Sequence, residues 1–358
     1  MPIASEKPLT EPRELQAIEL DQQVYGVRFS PSGKFLVAGG YDALVHRWAW
    51  DGEEPKERSS LSGHHGWVTA LAFAPSESIL FTADSWGGLT AWPFEDEAPQ
   101  PRWNLEQAHD GWIRSLAVSK DGKRLLTCGH DGFARLWDVS DGKQTLEINH
   151  GEDLFAAAIH PDGRVAVTGD LFGKIKAWDL KTGKAAREID ASSLHFYQRD
   201  EDVAGIRVLE FEDEGKTLVV AGSEPTSTGR GLGIPTIRLF DWETKKPKET
   251  LHQGDSNDGF VFDLARHPEG FFMSVTSGQP GRGQFAFHRL GEEQPFWVSK
   301  KMSNCHSLAL HPDAIQVVVS ATNRNSQGNG AVKDKEGKYL GNYSPIHVFE
   351  LPETFVKS

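Results

Sequence analysis

The sequence predicts an all-β protein made of seven repeats of one four-stranded unit, and three observations predict it. First, four segments align without a gap: SPSGKFLVAGGYDALVHRW, APSESILFTADSWGGLTAW, SKDGKRLLTCGHDGFARLW and HPDGRVAVTGDLFGKIKAW. In each, 15 residues separate a turn position (Gly33, Glu77, Gly122, Gly163) from a closing tryptophan (Trp48, Trp92, Trp137, Trp178). Weaker copies follow at Gly215, Gly270 and Ala314, with Phe240, Phe287 and Phe349 replacing the tryptophan. Self-similarity at such spacing marks a repeat architecture. Second, every unit breaks into short β-branched, aromatic and aliphatic runs between Gly/Asp turns, without a helical period. Third, the opening strand of each unit is rich in small residues, as in TALAFA, SLAVS, AAAIH and SLALH. Strands that crowd around an axis need small side chains, so the units are expected to stand radially.

The third unit shows the elements in order. WIRSLAVS is followed by the turn KDGK, then RLLTCG, a tight turn at HDG, FARLWDV, the turn SDGK and QTLEI. The last unit stops after its third strand, PIHVFEL, whereas ELQAIELD (14–21) near the start resembles the fourth strands QTLEI and AAREID. The N-terminal strand is therefore expected to complete the seventh unit and remove an open edge. Residues 1–13 read as a tail and 14–358 as one domain.

AHDGWIRSLAVSKDGKRLLTCGHDGFARLWD closely resembles a WD40 repeat, with Ala-His in place of Gly-His and Trp137-Asp138 at its close. The resemblance implies a seven-bladed β-propeller of four-stranded antiparallel blades. It weakens in the last three units, where the pair becomes Phe-Asp, Phe-His and Phe-Glu. In that family a His, a Ser/Thr, an Asp and the Trp form a hydrogen-bonded chain. By position these are His109, Thr127, Asp131 and Trp137, complete only in the third blade. Superficially a Ser-His-Asp triad, the set lacks an activated nucleophile and an oxyanion loop, so a structural network is expected. Blades two and four carry His64, Thr82 and His150, Thr168, but an aromatic (Trp86, Phe172) stands at the Asp position. Asp84 and Asp170, two residues after each Thr, either replace the missing partner or face a ligand.

Composition narrows the function. The net charge is −13, and nucleic acid requires clustered Lys and Arg instead. Cys128 and Cys305 cannot form a disulfide framework, which suggests reduced thiols in a cytoplasmic protein. No apolar stretch approaches the ~18 residues of a membrane span, and no targeting segment is evident at the start. The 14 histidines fall mostly at repeat positions or in His-Pro turns (His160, His267, His311), so neither a metal site nor any cofactor is expected. The Gly-rich TGRGLG and GQPGRG open no helix and make poor phosphate loops.

Departures from the repeat locate the candidate site. The turn-to-aromatic distance grows to 25, 17 and 35 residues in units five, six and seven. Insertions 223–234 and 323–344 lie between second and third strands, and a third, 192–205, precedes the fifth unit's first strand. All should emerge around one mouth of the channel, where loops on a rigid scaffold commonly bind partners. Gln23, Trp67, Trp112, Asp153, Gly205, Phe260 and Asn304, just before the inner strands, should ring the same mouth. Arg230, Arg282 and Arg324 in the second-to-third-strand loops of blades five to seven suit an acidic segment, since guanidinium pairs with carboxylate in a planar fork. The expected function is a monomeric, non-enzymatic scaffold binding a protein or peptide on the mouth of blades five to seven. Candidate contacts are Arg230, Arg282, Arg324, Trp67, Trp112, Phe260, Asp153 and Asn304. The alternative is a metal-dependent, lactonase-like propeller hydrolase, with Asp153 and Asp258 as the best available ligands.

Overall fold

Small inner strands let seven sheets converge on one axis. The computed structural model describes residues 11–352 except 53, 77, 199, 227–231, 324–334 and 338–340. It contains seven four-stranded antiparallel sheets. In the third blade Ile113–Val118, Arg124–Gly129, Phe133–Asp138 and Gln144–Asn149 pair in chain order. The innermost strand of every blade touches those of both neighbours, and this closes the ring. Among the described residues helical structure is confined to 3-10 turns at Ser192–Leu194 and Asp213–Gly215. Among the same residues no helix is long and apolar enough to cross a membrane.

The seventh sheet runs Arg13–Ile18, Ile346–Glu350, Gln316–Ala321, Cys305–Leu310, so the N-terminal strand does supply its outer member. Arg13 pairs with Glu350 at 2.6 Å, and Glu14 with His347 at 2.6 Å. The 192–205 segment, read as a plain insertion, folds into a small hairpin of His195–Gln198 against Glu201–Ala204. Blade five absorbs part of its insertion by lengthening two strands, Thr217–Glu224 and Ile234–Asp241.

The tryptophans that close the third strands, Trp48, Trp92, Trp137 and Trp178, are buried in the apolar layers between blades. The His-Pro turns have a distinct task. His160, His267 and His311 each approach, through Nε2, the turn carbonyl of the next blade: Gly215 (3.2 Å), Ala314 (3.0 Å) and Gly33 (3.1 Å). A carbonyl only accepts, so Nε2 donates in each; Nδ1 faces the backbone amide two residues on and, at His160 and His311, also the carboxylate of Asp162 (2.9 Å) and Asp313 (2.8 Å). Arg124 makes the same contact to Gly163 O at 2.7 Å. At Gly33 and Gly215 the left-handed backbone leaves no room for a Cβ beside the imidazole.

The polar chains are fully joined. Thr127 Oγ1 meets His109 Nε2 (2.7 Å) and accepts Trp137 Nε1–H (2.9 Å), while His109 Nδ1 faces Asp131 (2.9 Å). In blades two and four, Asp84 and Asp170 replace the absent partner, at 2.8 Å from His64 and 3.1 Å from His150. Each also accepts two backbone amides of its own turn. Blade six builds a chain of other residues, Gln253, Ser274 and His288, in which Ser274 Oγ donates to Gln253 (2.5 Å). In blade one, buried Arg47 donates to the carbonyls of Ser59, Phe94, Asp96 and Glu97, fastening that blade to the next.

Two predictions follow from this architecture. Removing residues 1–21 strips one strand from the seventh blade. It should cost ~3 kcal/mol or more, lower the melting temperature by about 5 °C and promote self-association through the exposed edge; an unchanged, monomeric protein in a thermal melt with light scattering would contradict the closure. Asp131→Ala strands the buried His109 and should cost ~1–3 kcal/mol at neutral pH. Burial opposes the Asp131 charge, but His109 and Arg135 outweigh it and hold its carboxyl well below the usual range. A depressed folded-state pKa stabilises above the unfolded value and is lost as pH falls through the folded one. The gap between wild type and Asp131→Ala should therefore shrink below about pH 4 in denaturant titrations.

Candidate functional site

Backbone hydrogen bonds bring two kinds of connection to one rim. In five blades the first loop residue after the second strand donates its amide to the residue just before the inner strand. The pairs are Tyr41 to Gln23, Ser85 to Trp67, His130 to Trp112, Leu171 to Asp153 and Thr322 to Asn304, at 2.8–3.1 Å. Trp67 and Trp112 there join a chain of rings. Trp67 stacks on Tyr41 (centroids 4.5 Å, planes 11° apart) and meets Trp112 edge-on at 5.5 Å. Tyr25 touches both Tyr41 (6.1 Å) and Trp112 (6.2 Å). Trp67 keeps 41% of its surface exposed and Trp86, on the same rim, 68%. Tryptophans left this open on a rigid rim are unusual, because a fold normally covers so large an apolar ring.

Below the rim lies a second ring. In six blades the inner strand bulges, leaving one unpaired residue: Tyr25, Thr69, Arg114, Phe155, Phe262 and His306. An extra residue re-aims its side chain away from the ladder. Blade five has no bulge, and Arg207, which precedes its strand, takes the place. All seven line a central cavity of about 650 Å³. Small residues, among them Gly26, Ala70, Ala72, Ala117, Ala156 and Ala158, line it too, as crowding at the axis requires.

Charge in the cavity is largely paired. Arg114 binds Asp153 through two nitrogens (3.2 and 2.9 Å) and lies over Phe155 at 4.1 Å. Arg28 of blade one reaches Asp263 of blade six at 2.8 Å and Ser307 of blade seven at 2.9 Å, knotting three blades together. Burial and the nearby Asp263 push the Glu210 carboxyl up to about 8, so it is mostly neutral at pH 7. Burial pushes the His306 imidazole down to about 4. The two cysteines are buried and burial raises both thiols, which makes them poor nucleophiles.

The sequence-derived candidates divide. Trp67 and Trp112 belong to the open aromatic chain. Phe260 lies 5.1 Å from the Arg207 guanidinium. Asp153 is taken by Arg114 and by His130 (3.0 Å). Asn304 holds blade six's loop, donating to the carbonyls of Gly278, Gln279 and Arg282 and accepting Gly281 N–H. Arg282 faces Asp255 (3.5 Å) and Asp258 (3.8 Å). Arg230 and Arg324 lie outside the described residues. Among those residues no cluster of three or more His, Cys, Asp or Glu could hold a metal, and Asp258 is occupied by the Asp255 amide at 2.6 Å. Sequence reasoning missed Tyr25, Tyr41, Arg114 and Arg207. The available signal was spacing, since each second-ring residue stands two positions after its rim residue.

Comparison with known proteins agrees with this geometry. The family model of the WD domain, G-beta repeat, matches residues 15–49, 55–91 and 100–138. Each match begins on or just before an outer strand and runs through the next blade's inner three, the offset that lets the N-terminal strand close the ring. The chain is similar to Protein groucho of Drosophila melanogaster, 25% identical over 143 residues, covering 40% of this chain and 19% of that protein. It is similar to Transducin-like enhancer protein 2 of Mus musculus, 24% identical over 143 residues, 40% of this chain and 18% of that protein. WD40 repeats are thus present in the first half of the chain, and they lie within a backbone of seven four-stranded propeller blades.

Proposed function

We propose that this propeller is a non-enzymatic scaffold whose channel mouth binds a protein or peptide segment. The observation that carries this reading is the connected set Tyr25, Tyr41, Trp67 and Trp112 at the rim, with Trp67 and Trp86 open to solvent. Aromatic anchors on rigid backbone dominate interface energies because they bury large area at small entropic cost. The similarity to WD-repeat proteins supports the same class. A non-enzymatic role is supported by the burial of every Thr-His-Asp chain, whose hydroxyls are already engaged with Trp and His. On this reading the partner anchors on blades one to three and extends over the loops of blades five to seven. There Arg230, Arg282 and Arg324 would meet an acidic stretch. Arg282 must exchange Asp255 for that partner, which limits its contribution.

The test is selection of peptides from a displayed library on the wild-type protein, followed by titration against variants. Trp67→Ala should weaken selected peptides by about 30-fold while moving the melting temperature by no more than ~2 °C. Reversing Arg230, Arg282 and Arg324 to Glu should weaken acidic peptides further and flatten their salt dependence. Peptides that bind Trp67→Ala as well as wild type would overturn the mouth as the binding surface.

A further inference from the structure

One charge in the channel has no counterpart. The ion pairs Arg114–Asp153 and Arg28–Asp263 cancel, and Glu210 is mostly protonated at neutral pH. Arg207 remains. Among the described residues its guanidinium has no hydrogen-bond or ion-pair partner, and its Nε is buried without one. Three rings flank it instead: Phe155 at 4.3 Å, Phe260 at 5.1 Å and Phe262 at 5.7 Å. Burial has drawn its pKa down to about 10, the mark of a cation poorly solvated where it stands. Cation–π contact stabilises the faces of a guanidinium but satisfies none of its five N–H donors.

We infer that Arg207 is the receptor for a single carboxylate entering the channel mouth, with Phe155 and Phe262 packing the apolar part of the ligand. This deepens the proposed scaffold role and rests on it, because the carboxylate would arrive as part of what the mouth binds. The planar fork of the guanidinium matches a carboxylate in two parallel hydrogen bonds. A monoanion balances the one uncompensated charge. A dianionic phosphate would bring a second charge into an aromatic-walled site with no cation left to meet it, since Arg114 is held by Asp153. Two sources supply a carboxylate of this kind: the C-terminus of a peptide, or a small free acid.

The experiment titrates the full chain by calorimetry with acetyl-Gly-Phe bearing a free carboxylate and with the same dipeptide as its amide. Phenylacetate, phenylacetamide and phenyl phosphate are run alongside. The free acid should bind at least ~10-fold more tightly than its amide, as expected for a charge-assisted bidentate pair. Arg207→Gln should erase that preference and Arg207→Lys should keep part of it. Equal binding of acid and amide by the wild type, or a preference that survives Arg207→Gln, overturns the assignment. So does tighter binding of phenyl phosphate than of phenylacetate, or no response to either acid at ~10 mM. Tighter binding of the dipeptide acid than of phenylacetate points to a peptide terminus, and equal binding to a free small acid; both uphold the receptor. The acid–amide comparison uses only the wild type, so it decides the matter even if Arg207→Gln fails to fold. Library peptides that lose binding with Trp67→Ala, together with equal binding of acid and amide by the wild type, would leave the scaffold standing and remove the carboxylate receptor.

Discussion

Everything in this molecule depends on closing the ring between the two ends of the chain. Six blades are local, each a meander whose strands neighbour one another in sequence, and only the seventh joins Arg13–Ile18 to Ile346–Glu350. An unclosed array would expose two sheet edges and leave the first and last blades packed on one side only. The seam is accordingly reinforced at every radius. Outermost is the strand pairing itself; between the sheets Trp50 Nε1 donates to Gln316 (2.9 Å), and at the turns His311 meets Gly33. At the axis Arg28 crosses blade seven to reach Asp263. Contacts so distant in sequence are slow to form, but once made they hold the inner strands at a fixed separation, and that separation defines the cavity.

Closure also decides what the inner strands can carry. Small residues satisfy the crowding, and a bulge in six of the inner strands, with Arg207 standing in for the seventh, then turns one further residue toward the opening, so most of the large or charged side chains gather in one layer. The rim above is held, in five of the blades, by the amide bonds that tie the second-to-third-strand loop to the start of an inner strand. Geometry of this kind makes the mouth a rigid surface with side chains of mixed character. That is the condition under which a few aromatic anchors can carry an interface without a large ordering cost.

The fold was legible because its signals are local and repeated: the gapless spacing from turn to tryptophan, the small inner strands and the stray outer strand at each end. Blade chains were legible for the same reason, since His64, His109 and His150 recur at one position. Blade six escaped, because Gln253 and His288 do the work from unfamiliar residue types. The site was only half legible. Trp67 and Trp112 could be placed at the rim by counting back from a strand, but their union with Tyr25 and Tyr41 depends on distances between blades. The emphasis on Arg230, Arg282 and Arg324 came from insertion lengths, and Arg282 proves to face acids of its own blade, Asp255 and Asp258. No linear pattern shows which charges cancel: Arg114 and Arg207 look alike in sequence, and only the folded ring gives one of them an aspartate.

That difference is the physical reason to regard Arg207 as something other than a stabilising residue. Withdrawing a cation from much of its water without giving it a partner opposes folding, and a hydrophobic side chain of similar size would satisfy the packing against Phe155, Phe260 and Phe262. Elsewhere in the same cavity the protein obeys the usual rule, pairing Arg28 and Arg114 and leaving Glu210 mostly neutral. A lone exception inside an otherwise balanced cavity, in a chain of net charge −13 with ample acids to spare, is a local cost left in place. Such departures from internal consistency concentrate where a protein meets its ligand. The aromatic chain at the rim and the unpaired guanidinium beneath it then read as two depths of one surface, the first supplying area and the second supplying selection by charge.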